Sequence, residues 1–446
     1  MHTVIVGGGA SGVAVALMRL RHAQTNDRVT LIDTSPDIGH GVAYSTPDDT
    51  LLLNVRASNM SVYADMPHHF VDWLATTHSH TDASAFVPRR WYAQYLTDTL
   101  RDTVSTSAGV YTHIHVQVND IDPHQRTLLL SDGRLIDADH VILALGHAPI
   151  VNPLQRWLEK PARVIAGYDW ARIKHTIAPN APVIIIGTGL TMVDAVSTLW
   201  QSGHHAPITA ISRHGHLPQA HVIYTPHAGY ITPADYGISL RHLMRIVRHE
   251  VARAHQQGQP WQAVIDALRP HTQALWIGWT LADKQRFLRH VRAHWDIYRH
   301  RIAPHLATQL SDAQQHGQLA VVAGRITNYR EDDDGVVLSY TPRGHNHTIT
   351  HKAAWVINCT GPESDYTRIT NPLVTALTGR GVLNADPIRL GIDVDAHGRL
   401  KDSAGHVIPW LWSIGPPRKG YAWECIAIPD IRVQAAQLAE ALIAAS

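Results

Sequence analysis

Two stretches of this chain are built alike, and a single small core does not accommodate both. Val4–Leu17 reads VIVGGGASGVAVAL, and Val183–Asp194 reads VIIIGTGLTMVD. Each is an apolar run fit for a buried strand, then closely spaced glycines, then helical spacing. A glycine turn of this kind lets the backbone approach a pyrophosphate, and the helix that follows aims its N-terminal N–H groups at the anion. In the first turn Gly7, Gly9 and Gly12 hold all three positions of G-x-G-x-x-G, with Ser11 opening the helix. The next strand, Arg28–Asp33, ends on Asp33, a carboxylate suited to accept from two ribose hydroxyls. In the second turn Gly187 and Gly189 keep the first two positions, Met192 stands at the third, and Leu190 and Thr191 open the helix. Here the following strand ends in Ser212-Arg213-His214. An arginine beside a hydroxyl suits a 2′-phosphate. A unit ending on an acid and a unit ending on an arginine predict two different dinucleotides: FAD held by the first, NADPH visiting the second.

At 446 residues the chain exceeds one hydrophobic core, so two or three domains are expected. Each half runs through a Gly turn, a second strand with a polar end, a β-meander and a buried strand. The meanders are His113–His147, with turns at Asp122-Pro123 and Asp132-Gly133, and Leu319–Gly361. The strands that close them end on Gly146 and Gly361. That order is a weak internal repeat. The reading is an α/β fold of two Rossmann-like dinucleotide-binding domains with β-meanders and a helical insertion. The FAD domain is expected to be discontinuous, 1–165 and 350–446, and the NAD(P)H domain to span 175–349. Apolar residues at 3–4 spacing place the insertion at about 233–317. Its Trp276, Trp279, Trp295 and Tyr298 are either simple packing or part of a lid over a substrate pocket. Arg289–Pro304 puts His290, His294 and Tyr298 along one helical face, which either looks into a cleft and binds an acidic substrate group or is half core and half solvated surface.

Composition removes other classes. A net charge of +1 with His neutral gives no electrostatic case for nucleic acid or an acidic membrane surface. No apolar run is long enough to span a bilayer. The first residues enter a strand without a basic-then-apolar leader, and two cysteines make no disulfide framework, so a cytoplasmic protein is expected. The 33 histidines raise the question of a metal. His249-Glu250 is followed by His255, too far along for H-E-x-x-H, and no convergent ligand set is visible, so none is expected. The absence of C-x-x-C argues against a dithiol relay. Oligomeric state has no signature in the pattern.

Several further stretches carry a family resemblance: DIGHGVAY (Asp37–Tyr44), LLLNVRASNMSVYADMP (Leu51–Pro67), the second loop GTGLTMVD, and IGPPRKGYAWECIAIPDIRVQAAQLA (Ile414–Ala439). Over nearly its whole length the chain resembles a bacterial FAD/NAD(P)-binding flavoprotein family. That group is similar in pattern to the class B flavin monooxygenases of the flavin-containing monooxygenase and amino-acid N-hydroxylase type. The resemblance implies that Gly39–Tyr44 runs beside the flavin, with Tyr44 near an aromatic position. It puts Asn54 at the reactive edge of the isoalloxazine as a catalytic residue, with Met60 in the same flavin-side segment. The other reading of Asn54 is a loop residue capping its own backbone. Gly415 and Trp423 to Ile426 would close the flavin site. Glu424 there is a proton donor or a first-turn helix acid. Separately, a short C-terminal helix is expected over Asp430–Ala445. The activity implied is an NADPH-dependent FAD monooxygenase. It would use O₂, form a C4a-peroxyflavin and oxygenate a small-molecule substrate by N-hydroxylation or similar chemistry. The family's F-x-G-x-x-x-H-S segment is not present as such, and VIAGYDWARIKH (Val164–His175) is the nearest stretch. Two alternatives therefore stay open: an NAD(P)H:acceptor oxidoreductase serving a quinone, dye or protein, and a non-catalytic nucleotide-binding or redox-sensing module.

Overall fold

The opening apolar run has no polar face, and a strand of that kind is stable only when covered on both sides. In the computed structural model, which describes residues 1–444, it forms β1 (His2–Val6), buried along its length. It runs parallel to β2 (Arg28–Asp33), which runs parallel to β3 (Val110–His115). An antiparallel ribbon follows: β4 (Val118–Asp122), β5 (Thr127–Leu130) and β6 (Leu135–Asp137). The chain then returns as β7 (His140–Leu143), parallel to β1 on its other side. The crossover helix Ala10–Arg21 is buried over most of its length and packs against the helices Arg89–Thr106 and Ile428–Ala444.

The chain next builds β8 (Val164–Ala166), β9 (Val183–Ile186), β10 (Ile208–Ser212), β11 (Leu319–Asp332), β12 (Gly335–Pro342), β13 (Ile349–Ala353) and β14 (Trp355–Asn358). They form one seven-stranded sheet in the order β13-β12-β11-β10-β9-β14-β8. Finally β15 (Arg399–Lys401) and β16 (Val407–Ser413) complete the first sheet, ordered β15-β16-β7-β1-β2-β3. The series β3-β2-β1-β7 and β11-β10-β9-β14 are the same construction made twice. The match extends to single hydrogen bonds. Gly7 N donates to Ile32 O and Gly187 N to Ile211 O, both at 2.8 Å. Ala144 N donates to Val6 O and Cys359 N to Ile186 O, again both at 2.8 Å.

Three expectations change in detail. First, the units divide as Met1–Ala148 with the chain from Glu363 onward, and Pro149–Pro362. The limits expected at 165, 175 and 350 move because β14 pairs with β8 and β9, which ties both flanks to the second sheet. Second, β3 is a parallel sheet strand and not part of the first meander. Its counterpart β11 does both jobs in one strand, parallel to β10 at its start and antiparallel to β12 later. Third, the helix Pro304–Gln315 buries Leu310 and Ala313 in the core of the second sheet, so it is the crossover from β10 to β11. The insertion ends before it.

Within the insertion, a π-helical turn at Phe287–Val291 shifts the helical phase. His290 is exposed within that turn, while His294 and Tyr298, four apart on the helix Arg292–Arg299, meet the His216 ring at 4.8 Å and the Trp261 ring at 4.9 Å. Trp276, Trp279, Phe287 and Trp295 meet in a chain of ring contacts, the packing arrangement. The C-terminal helix starts at Ile428, and its expected end at Ala445 lies outside the described residues.

Candidate nucleotide-binding sites

In the first unit the glycine turn is held by contacts that leave no room for side chains. Gly7 has φ +112°, and a Cβ there would stand 2.2 Å from Ala144 O. A Cβ on Gly12 would stand 1.8 Å from Gly7 O, so helix and turn touch backbone to backbone. Gly9 is the N-cap, and no side chain caps the helix. Two distant segments come to this turn. Gly39 N donates to Gly8 O at 2.8 Å, and a Cβ on Gly41 would be 3.3 Å from Gly9 Cα. Gly415 has φ +73°, and its Cβ would fall 2.5 Å from Ser11 Oγ. The walls are thus bare backbone around a helix N-terminus, the surface a dinucleotide pyrophosphate needs. Asp33 closes the turn by accepting from the N–H groups of Gly8 and of Ser35, the latter at 2.6 Å. Each carboxylate oxygen keeps a further lone pair for a ribose hydroxyl.

The remaining first-unit candidates are placed as follows. Tyr44 ends the short helix Gly41–Tyr44 and packs on Tyr92 at 4.8 Å, and burial pushes its phenol well above the usual range. Asn54 is half-buried and follows Leu53, which is 4% exposed. Its segment is pinned by Leu53 N to Val87 O and by Arg89 N to Leu51 O, each 2.9 Å. Met60 is buried in the core with Leu53 and Val62. Gly146 has φ +63° and nothing near its missing Cβ. Trp423 is buried beneath the Lys419 ammonium at 5.0 Å, with Ile426 half-buried nearby in sequence. Glu424 is half-buried and precedes the helix, whose first-turn acid is Asp430, so the first-turn reading of Glu424 falls. Sequence reasoning missed Arg418. It is buried, donates to Ala396 O at 3.1 Å, and shares Gln434 Oε1 with Gly415 N. Desolvation pushes its pKa down, against the opposing pull of Cys425, Tyr421 and Asp395.

In the second unit, Gly187 has φ +107° and a Cβ there would stand 2.3 Å from Cys359 O, the counterpart of Gly7 against Ala144. Gly189 is the N-cap and is open, Leu190 and Thr191 are half-buried, and Met192 fills the core where Gly12 leaves contact. Gly361, like Gly146, has positive φ and open space. Ser212 Oγ accepts from Gly215 N at 2.9 Å and lies 2.9 Å from the Thr188 hydroxyl, so it is engaged in closing the strand end. Arg213 is left exposed. Beside it opens a cleft of about 710 Å³ that Arg156, Arg325 and Arg343 also line. The Arg156 guanidinium lies 3.6 Å over the Trp157 ring. Only Arg213 of these was legible, because the others come from a linker and from the ribbon β11–β12, with no local motif. Cys359 is buried, and both its burial and Asp194 push its thiol up. Cys425 is buried too, so neither thiol is available to a dithiol relay. Among the described residues no group of three His, Cys, Asp or Glu could hold a metal, and no helix is long and apolar enough to cross a membrane.

A family model described as FAD-NAD(P)-binding matches residues 4–148. No curated protein matches the chain by sequence. Among solved structures, the reduced ornithine hydroxylase from Pseudomonas aeruginosa is similar at 16% identity and TM-score 0.69, over 99% of this chain and 98% of that one. L-lysine 6-monooxygenase from Pseudomonas syringae is similar at 15% identity and TM-score 0.68, over 99% of both chains. The ornithine N-hydroxylase from Kutzneria sp. 744, with reduced FAD, NADP⁺ and L-ornithine, is similar at 13% identity and TM-score 0.66, over 100% of this chain and 99% of that one. The chain therefore shares its fold with these enzymes over nearly its whole length.

Proposed function

We propose that this chain is an NADPH-dependent FAD monooxygenase that oxygenates a small amine-bearing substrate with O₂. The observation that carries the reading is the asymmetry of two otherwise matching strand ends. One is Asp33 against a bare-backbone cradle, and the other is Arg213 at an arginine-lined cleft. The family match over 4–148 and the full-length likeness to N-hydroxylases support it. Gly7, Gly9, Ser11, Gly12 and Asp33 would hold the FAD diphosphate and ribose. Gly39, Tyr44, Asn54, Met60, Gly146, Gly415, Trp423 and Ile426 would surround its ring end. Gly187, Gly189, Leu190, Thr191, Gly361 and Arg213 would hold NADPH, with Ser212 fixing the strand end. When bound, the flavin supplies hydride acceptance from NADPH and activation of O₂. The protein's part is to orient both nucleotides and to offer Asn54 as an uncharged hydrogen-bonding group beside the reacting ring. Glu424, outside the helix, is the candidate proton donor. Two buried free thiols suit a reducing compartment, and we place the enzyme in the cytoplasm.

The test uses isotopically labelled O₂ with NADPH and a panel of amines, amino acids and diamines. Label recovered in a hydroxylamine product supports the proposal. Rapid NADPH-dependent reduction of quinones, with no labelled product from any amine, would make the chain an acceptor reductase. Asn54→Ala is expected to keep FAD bound while most NADPH oxidation yields hydrogen peroxide in place of product. Loss of FAD itself from that variant would show Asn54 to be structural.

A further inference from the structure

The arginine cleft holds more positive charge than the strand end alone explains. Its four arginines face no carboxylate in the lining, and the Arg156 guanidinium donates to a backbone carbonyl, Ile326 O, at 3.0 Å. Two of them converge on one point of β11. The turn Arg213–Gly215 rests on Ala323, where a Gly215 Cβ would approach Ala323 N to 3.0 Å. Arg343, the first residue after β12, donates its N–H to Ala323 O at 2.9 Å. Arg343 is exposed, and its guanidinium folds back onto the turn, with Nη1 3.0 Å from His214 Nδ1. A guanidinium only donates, so Nδ1 accepts and the ring is neutral.

We propose that Arg343 is the second jaw of the 2′-phosphate site, with His214 holding it in reserve until the phosphate arrives. The inference rests on the NADPH reading above. His214 stacks parallel to His216 at 5.6 Å, and His216 meets His294 of the helix Arg292–Arg299 at 4.8 Å. Arg213 and His216 face His214 from its own segment, Arg343 from the ribbon and His294 from the insertion, with Arg156 and Arg325 lining the same cleft. All of these groups are cationic or neutral. Burial, then Arg343, His216, Arg213 and His294, hold the His214 pKa below its ordinary value. A phosphate dianion between Arg213 and Arg343 reverses that field and raises it. The protonated ring has no lone pair to accept from Arg343, so the arginine is released to the phosphate. Proton uptake on binding means that 2′-phosphate affinity rises as pH falls between the raised pKa of the complex and the lowered pKa of the free protein. Below about pH 6 protonation of the phosphate itself opposes the trend.

The experiment titrates the full-length protein calorimetrically with 2′,5′-ADP and with 5′-ADP, in buffers of different ionisation heat, between pH 6.5 and about 8. Wild type is expected to prefer 2′,5′-ADP and to take up a fraction of a proton with it alone. Arg343→Gln should lose roughly tenfold or more of the preference, the scale of a charge-assisted hydrogen bond, and leave 5′-ADP binding unchanged. His214→Gln should keep the preference and lose the proton uptake. An unchanged preference in Arg343→Gln, or proton uptake that persists in His214→Gln, overturns the inference and leaves the NADPH reading standing. No preference for 2′,5′-ADP in the wild type overturns both.

Discussion

Gly12→Ala is expected to give a protein that purifies colourless and melts roughly 5–10 °C below the parent. The cause is contact with rigid backbone. A Cβ at Gly12 falls 1.8 Å from Gly7 O and 3.4 Å from Ile5 Cγ2, and neither partner is a flexible side chain end that could swing away. Relief requires lifting the helix Ala10–Arg21 off the turn, and that helix is buried against two others. Overpacking of this kind costs about 3 kcal/mol, and a unit of this size loses a few degrees per kcal/mol. The same movement carries Ser11 into Gly415 and pulls the N-terminal N–H groups from where a pyrophosphate would meet them. Gly189→Ala is the control: its Cβ meets nothing within 4 Å, so the fold is expected to survive. Flavin absorbance after purification and a thermal scan decide the matter. A yellow Gly12→Ala protein with parental melting would mean that the cradle yields, and that the first loop is not a close-packed nucleotide site.

The parts of this molecule that were legible are those whose chemistry is local in sequence. A buried run, a Gly spacing and the polar residue at the next strand end all lie within one strand–helix–strand unit, so Gly7, Gly12, Asp33, Gly187 and Arg213 could be read directly. The repeat could be read too, because duplicated order survives where identity does not. What could not be read depends on pairing across the chain. Nothing near Val164 says that β8 joins β14, so the domain limits were misplaced. The register of a helix is equally hidden from a count of residues once a π-turn enters it, as at His290, whereas His294 and Tyr298 keep their i, i+4 spacing on the regular helix that follows. Arg343 lies 129 positions from His214, and Arg418 is buried beside Gly398 of a separate hairpin. A cation in either place looks, in sequence, like any solvated surface charge.

Arg213→Ala is expected to weaken NADPH binding by about 10- to 100-fold while leaving NADH binding within about twofold, the range set by losing one or two hydrogen bonds to a phosphate. Arg213 is exposed, so the effect belongs towards the lower end at physiological salt and grows as salt is removed. Ser212 is held by Gly215 N and Thr188, so Ser212→Ala should disturb the strand end without discriminating between the two nucleotides. Equal loss of NADPH and NADH in Arg213→Ala would show the arginine to be a support of the strand end, with no 2′-phosphate contact. The Arg213→Ala/Arg343→Gln pair adds a sharper reading of the same site. Distant arginines acting independently would multiply their losses. Two that share one phosphate should be coupled, so the double variant should lose measurably less than the product of the singles. Fluorescence titration of each variant with NADPH and NADH at two salt concentrations gives all of these quantities.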